Sequence, residues 1–323
     1  MNSSRPVLKL LTLLLLALAG SGCSTGVESG EASRAGSGEK IEIEHRRGKT
    51  AVPVSANRVV VFDLASLDTL NALGVDVLGV AGTVFPERLK QYGEPKYLKV
   101  GTLFEPDYEA LNAANPDLII VGGRSAAKYD DLAKLTPTVD LTISAEDYLA
   151  SAESNTRTLA HLFGKTEQAE QQLTALRARI EAIAAKAENS GKALVILTTG
   201  GKMSAYGPGS RFGILYTDFG FTPSVEKLSA SRHGEPVSFE FIAKVNPDWL
   251  FVIDRDRAIG EGGESAKTLL DNPLVKGTGA AQRGRIVYLN PTDWYLVGGG
   301  LGALQAMADE VHRALSPQTG PNS

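Results

Sequence analysis

The chain has 323 residues, 43% of them hydrophobic and 22% charged, with a formal net charge of −4 and no run of lysines and arginines. This is the composition of an ordinary globular protein large enough for two domains, and it argues against nucleic acid as a partner. The single cysteine, Cys23, excludes a disulfide framework or a CxxC site, and four scattered histidines exclude a clustered zinc site.

Arg5 and Lys9 precede an apolar run at residues 10–19, too short to cross a membrane, so residues 1–23 read as an export signal. Cys23 directly follows Gly20-Ser21-Gly22, which suits lipoprotein processing, although Gly20 stands where leucine is usual. Ala17-Leu18-Ala19 would also serve an ordinary signal peptidase. Lipidation at Cys23 is the favoured expectation, because it accounts for the chain's one cysteine. The mature protein is expected in the periplasm or cell envelope, held to a membrane only through that anchor. Residues 24–40 are small and polar and read as a flexible tether.

An N-terminal α/β lobe is predicted over 41–164. Alternation at 41–44 predicts a half-buried strand, and 58–62, 75–80, 97–100, 118–121 and 139–143 predict further strands, with helices at 65–73, 126–135 and 145–163. Residues 165–189 hold a connecting helix. Within it, Ala169, Leu173, Leu176, Ile180, Ile183 and Ala187 are spaced 4, 3, 4, 3 and 4 apart, a stripe down one helical face, with Thr166 as N-cap. At 1.5 Å per residue this strut spans about 30–35 Å. A coiled-coil dimer helix would need more heptads. The pattern then restarts in a C-terminal lobe, 190–318: strands at 193–197, 249–252 and 286–289, a turn at 207–211 opening a helix through Phe219, a loop through Tyr295, and a helix at 301–315. Residues 319–323 form a tail. Strands alternating with helices predict mostly parallel sheets.

The halves also match residue for residue. Tyr108/Phe239, Glu109/Glu240, Leu111/Ile242, Asn115/Asn246, Pro116/Pro247, Asp117/Asp248 and Arg124/Arg255 all keep one spacing, 131 residues, from Asn115 to Asn246. That register reads as a duplicated module. The fold class expected is therefore two Rossmann-like α/β lobes joined by one backbone helix, with a ligand cleft between them.

Ligands in open α/β sheets bind beyond the carboxyl ends of the strands, where Arg124 and Arg255 fall. Arg211 lies at a helix start, a poor place for a cation unless an anion offsets it. Three guanidinium forks on one cleft describe a receptor for a multiply negative ligand; the alternative is that each pairs with a neighbouring acid such as Asp254 or Asp256. His233 and Tyr295 carry atoms suited to ferric iron, or are ordinary loop residues. Gly298-Gly299-Gly300 fits a close-packed helix start better than a phosphate loop. No G-x-S-x-G, H-E-x-x-H or Walker motif supports an enzyme.

The export signal with its cysteine, the paired N-P-D units, the strut and the arginines resemble the helical-backbone (cluster A, class III) binding proteins of ABC importers, over about residues 41–316. Within them the chain is most similar to the enterochelin-uptake and petrobactin-type siderophore receptors, through Arg124 in VGGRSA, Arg211 in GPGSRFG, His233 in SRHGE, Arg255 in FVIDRD and Tyr295 in DWYLVGGG. The resemblance implies a monomeric, non-enzymatic receptor with no intrinsic cofactor. Its ligand would be an Fe(III)-siderophore, of catecholate type, whose oxygens the three arginines hold while His233 and Tyr295 complete the iron shell when the siderophore supplies only four donors. It further implies that Glu109 and Glu240, one per lobe, meet arginines on a dimeric permease. The alternatives are ferric citrate, haem or a corrinoid on the same fold, and, more remotely, a secreted α/β hydrolase.

Overall fold

The apolar runs of the first half become strands of one all-parallel sheet, in the order Leu98–Thr102, Gly79–Gly82, Val59–Val61, Leu118–Val121, Thr138–Asp140. Leu118 to Val121 are buried throughout, as a strand covered on both faces must be. These ranges come from a computed structural model that describes residues 39–228 and 233–316. The predicted export signal with Cys23, the tether up to residue 38, residues 229–232 and the tail lie outside the described residues.

The second sheet runs Glu235–Val237, Lys202–Tyr206, Lys192–Thr199, Trp249–Asp254, Ile286–Tyr288, with Thr222–Pro223 beside the start of Lys192–Thr199. Its last three strands are parallel, but Lys202–Tyr206 and Glu235–Val237 pair antiparallel. This sheet is thus mixed where the alternation predicted parallel. The cause is Gly200-Gly201: both sit at positive φ (52° and 73°), which only a tight hairpin demands, and they fold Lys202–Tyr206 straight back. The strand predicted at 41–44 lies in Lys40–His45, which pairs with Gly48–Pro53 in a two-stranded sheet of its own. The predicted helices at 126–135 and after 211 shorten to a 3₁₀ turn Ala126–Lys128 followed by the α-turn Tyr129–Leu132, and to the single turn Ile214–Thr217.

The strut is the helix Thr166–Ala187, and its buried residues are the six of the predicted stripe. Gly164 ends the preceding helix Tyr148–Leu162 at φ 65°. Lys165, not Thr166, takes the N-cap position, and no side chain caps it. The strut packs on Tyr148–Leu162 and on the last helix, Leu301–Ala314, where Arg179 and Asp309 form a 3.1 Å ion pair.

The sequence repeat is a structural one. Asn115 and Asn246 are the two non-glycine residues at positive φ among the described residues (43° and 46°), and each ends a seven-residue helix, Tyr108–Ala114 and Phe239–Val245. Asp107 and Ser238, again 131 apart, cap the two N-termini through their side chains. The N-P-D aspartates then bind the backbone leading into a neighbouring strand: Asp117 accepts from Asn57 and Arg58 N–H at 3.0 Å, Asp248 from Lys192 N–H at 2.8 Å.

The two halves share core. Leu296, Val297 and Ala303 pack into the cluster built on the first sheet. The buried Asp68 carboxylate accepts from Ala303 N–H at 2.7 Å, while Thr69 Oγ1 accepts from Leu301 N–H at 3.1 Å. A Cβ on Gly300 would come within 2.5 Å of Asp68 Oδ2, which explains the glycine cluster as a close helix start. No helix among the described residues is long and apolar enough to cross a membrane.

Candidate functional site

Between the carboxyl ends of the two sheets lies a cavity of about 290 Å³, near the lower end for ligand pockets. The first half contributes Asp63, Arg124, Thr142 and Tyr148; the second contributes Arg211 and the segment Trp294–Gly299. That segment is not the predicted loop. Thr292–Val297 is a π-helical turn, closed by Gly298 N–H donating to Asp293 O at 2.8 Å. Such turns occur singly and often at functional sites.

The π turn presents Tyr295 to all three predicted arginines. Arg124 donates to the Tyr295 and Leu296 carbonyls at 2.9 and 3.1 Å, and Arg211 donates to the same Tyr295 carbonyl at 2.7 Å. Arg255 Nε donates to the Tyr295 hydroxyl at 3.1 Å. The guanidinium carbons of Arg211, Arg124 and Arg255 lie 4.4, 5.4 and 5.9 Å from the Tyr295 ring centre. The pairing alternative holds for one arginine only: Arg255 has Asp256 and Glu261 at 3.3 and 3.4 Å, while Asp254 instead caps the turn Arg255–Ala258. Arg124 and Arg211 have no carboxylate partner among the described residues and spend donors on carbonyls instead.

This clustering has electrostatic consequences. Burial, and then the charge of Arg211, lower the Arg124 pKa, so a bound anion there would relieve a real cost. At Tyr295 burial pushes the phenol up, but the Arg255 hydrogen bond and the charges of Arg211, Arg255 and Arg124 outweigh it, and the net direction is down. Tyr148, which also lines the cavity, is pushed up by burial and stays a neutral phenol. One cavity therefore holds two phenols whose pKa values are driven in opposite directions.

The turn itself is held from behind. Trp294 Nε1–H donates to Glu310 at 2.9 Å, and Arg88 bridges the buried carboxylates of Asp68 and Asp293. His233 is exposed and does not line the cavity; it precedes the strand Glu235–Val237, which runs beside Lys202–Tyr206. Glu109 and Glu240 are exposed in the first turns of the two equivalent short helices. Sequence reasoning missed Asp63, Thr142 and Tyr148. Asp63 was findable, because it ends the 58–62 run just as Arg124 follows 118–121. Among the described residues no group of three or more His, Cys, Asp or Glu side chains could hold a metal ion.

Comparison with known proteins agrees with this architecture. Residues 59–292 match the family described as Periplasmic binding protein (Peripla_BP_2). The chain is 40% identical over 282 residues to the petrobactin-binding protein YclQ of Bacillus subtilis, covering 86% of this chain and 89% of that one. It is 30% identical over 282 residues to the ferric-anguibactin-binding protein FatB of Vibrio anguillarum, covering 84% and 86%. The crystal structure of YclQ superposes with a TM-score of 0.84, covering 87% of this chain and all of that one. The periplasmic catecholate-siderophore binding protein VctP of Vibrio cholerae superposes at 0.82 with 33% identity, covering 85% and 100%. With two α/β lobes, one long connecting helix and a cleft between them, the chain belongs to the periplasmic binding protein family, whose members bind a substrate rather than transform it.

Proposed function

We propose that the protein captures an anionic ferric siderophore of the catecholate class and hands it to the permease of an ABC importer. The observation that carries this reading is the convergence of three guanidinium groups on one π turn, two of them without acid partners among the described residues. Deprotonated catecholates match such forks in geometry and charge. The ligands named for YclQ, FatB and VctP support the same class. Iron enters as cargo, largely wrapped by its own chelator. When the siderophore supplies four donors, the Tyr295 phenolate completes the shell together with the His233 imidazole, which must swing in from outside the cavity. Glu109 and Glu240 form a matched pair of anionic contacts for the two permease subunits. The mature chain, a monomer, is tethered by a lipid on Cys23. Residues 41–164 and 190–318 act as the two jaws around the strut at 165–189.

The test is a fluorescence titration with a panel of ferric and iron-free siderophores. Trp294 borders the cavity and reports its filling. Ferric catecholates should quench at the lowest concentrations, ahead of ferric citrate, haem and corrinoids. Tighter binding of any of those three than of every catecholate would refute the assignment.

A further inference from the structure

The cavity is not uniformly basic. Alongside Arg124, Arg211 and Tyr295, its lining among the described residues includes one carboxyl group, that of Asp63. Asp63 lies just beyond the strand Val59–Val61 and caps the helix Leu64–Ala72. Both capping bonds, from Ser66 N–H at 2.8 Å and Ser66 O–H at 2.7 Å, fall on Oδ2. Among the described residues Oδ1 receives no hydrogen bond and Asp63 forms no salt bridge. Arg124 acts on it only at longer range. The close fit of this side chain is built in: a Cβ on the neighbouring Gly122 would come 2.8 Å from Asp63 Cγ. A helix cap alone needs only one oxygen and is served as well by Ser or Asn. The second oxygen is therefore surplus to folding, and it belongs to a residue lining the ligand cavity.

We infer that Asp63 is a specificity-determining residue, which selects anionic ferric complexes bearing a hydrogen-bond donor, best a protonated amine, on the chelator backbone beside the iron-binding oxygens. The ligand is then read by two kinds of group: its oxyanions by Arg124 and Arg211, its donor by Asp63. Burial raises the Asp63 pKa, so an incoming cation restores to its charged form the favour that burial removed. A fully anionic ligand gains nothing at that wall and meets a like charge.

This inference rests on the receptor reading, and its test separates the two. Two synthetic ferric bis-catecholates of equal length serve as probes, one with a secondary amine in its linker and one with an ether oxygen there. Wild type should prefer the amine complex by about tenfold or more, the range of one charge-assisted hydrogen bond. Asp63→Asn keeps the shape and the capping oxygen, and should bring that ratio close to one while the ether complex binds no worse. Asp63→Ser, a second capping variant, should do the same. A ratio unchanged in both variants overturns the role of Asp63 and leaves the receptor standing. Failure of wild type to bind either complex removes the receptor reading and this inference with it.

Discussion

Arg211 offers the sharpest test of the cleft. Its hydrogen bond goes to the Tyr295 carbonyl, which also accepts from Arg124 at 2.9 Å. Arg211→Ala therefore leaves that carbonyl satisfied, and the fold should lose less than about 1 kcal/mol, no more than one ordinary hydrogen bond. The ligand loses more. A charge-assisted hydrogen bond to a catecholate oxygen contributes about 1.5–3 kcal/mol, hence about a ten- to hundredfold weaker dissociation constant. Arg124→Ala should weaken binding comparably but also lower the melting temperature, because the Leu296 carbonyl loses its Arg124 donor. Arg255→Ala should cost less than either, since two acids already claim that guanidinium. Isothermal titration with a ferric catecholate, paired with thermal melts, reads all three variants. A neutral ferric complex should be indifferent to them. Undiminished catecholate affinity in Arg211→Ala, or an equal loss for the neutral complex, would refute the reasoning.

Three further outcomes can be checked. Ultraviolet titration should show one phenol ionising below the ordinary tyrosine value, absent in Tyr295→Phe and moved upward in Arg255→Ala, because removing the cations removes what lowers it. With a tetradentate ferric catecholate, the Tyr295→Phe, His233→Ala double variant should lose a charge-transfer band, whereas a hexadentate one should bind it normally; unchanged spectra with the tetradentate ligand would exclude direct coordination. Glu109→Arg combined with Glu240→Arg should leave soluble ligand affinity intact and abolish siderophore-dependent growth, and normal growth would leave the docking role without support.

Much of this was legible because local rules wrote it. The strut stripe follows from helical periodicity, and its six residues are the six buried ones. The duplicated register shows in the paired asparagines and aspartates, whose turn conformations depend on a few adjacent residues. Arg124 and Arg255 stood out because strand ends face the cleft in this class of sheet, and Arg211 because a helix start disfavours a cation without an anion beside it. What stayed hidden depends on distance in the chain. The Arg88–Asp293 bridge joins residues 205 positions apart. Gly48–Pro53 carries too little apolar alternation to announce a strand and exists by pairing with Lys40–His45. The π turn of Thr292–Val297 has no propensity signature. It is fixed by partners on other elements: Arg88, Arg124, Arg211 and Glu310.

That turn sets how the gene can change. A π turn is an α turn with one residue more, and each residue of an α-helix rotates the next by about 100°. Losing one codon between Thr292 and Val297 would let the backbone relax to ordinary helix and swing the phenol away from all three arginines. The segment around Gly262, where an added Cβ would meet nothing within 4 Å, can lengthen or shorten at little cost. Substitutions can therefore accumulate around the Tyr295 ring while chain length there stays fixed. A lineage altering its ligand would exchange side chains on the cavity wall and leave the count of residues in the turn untouched.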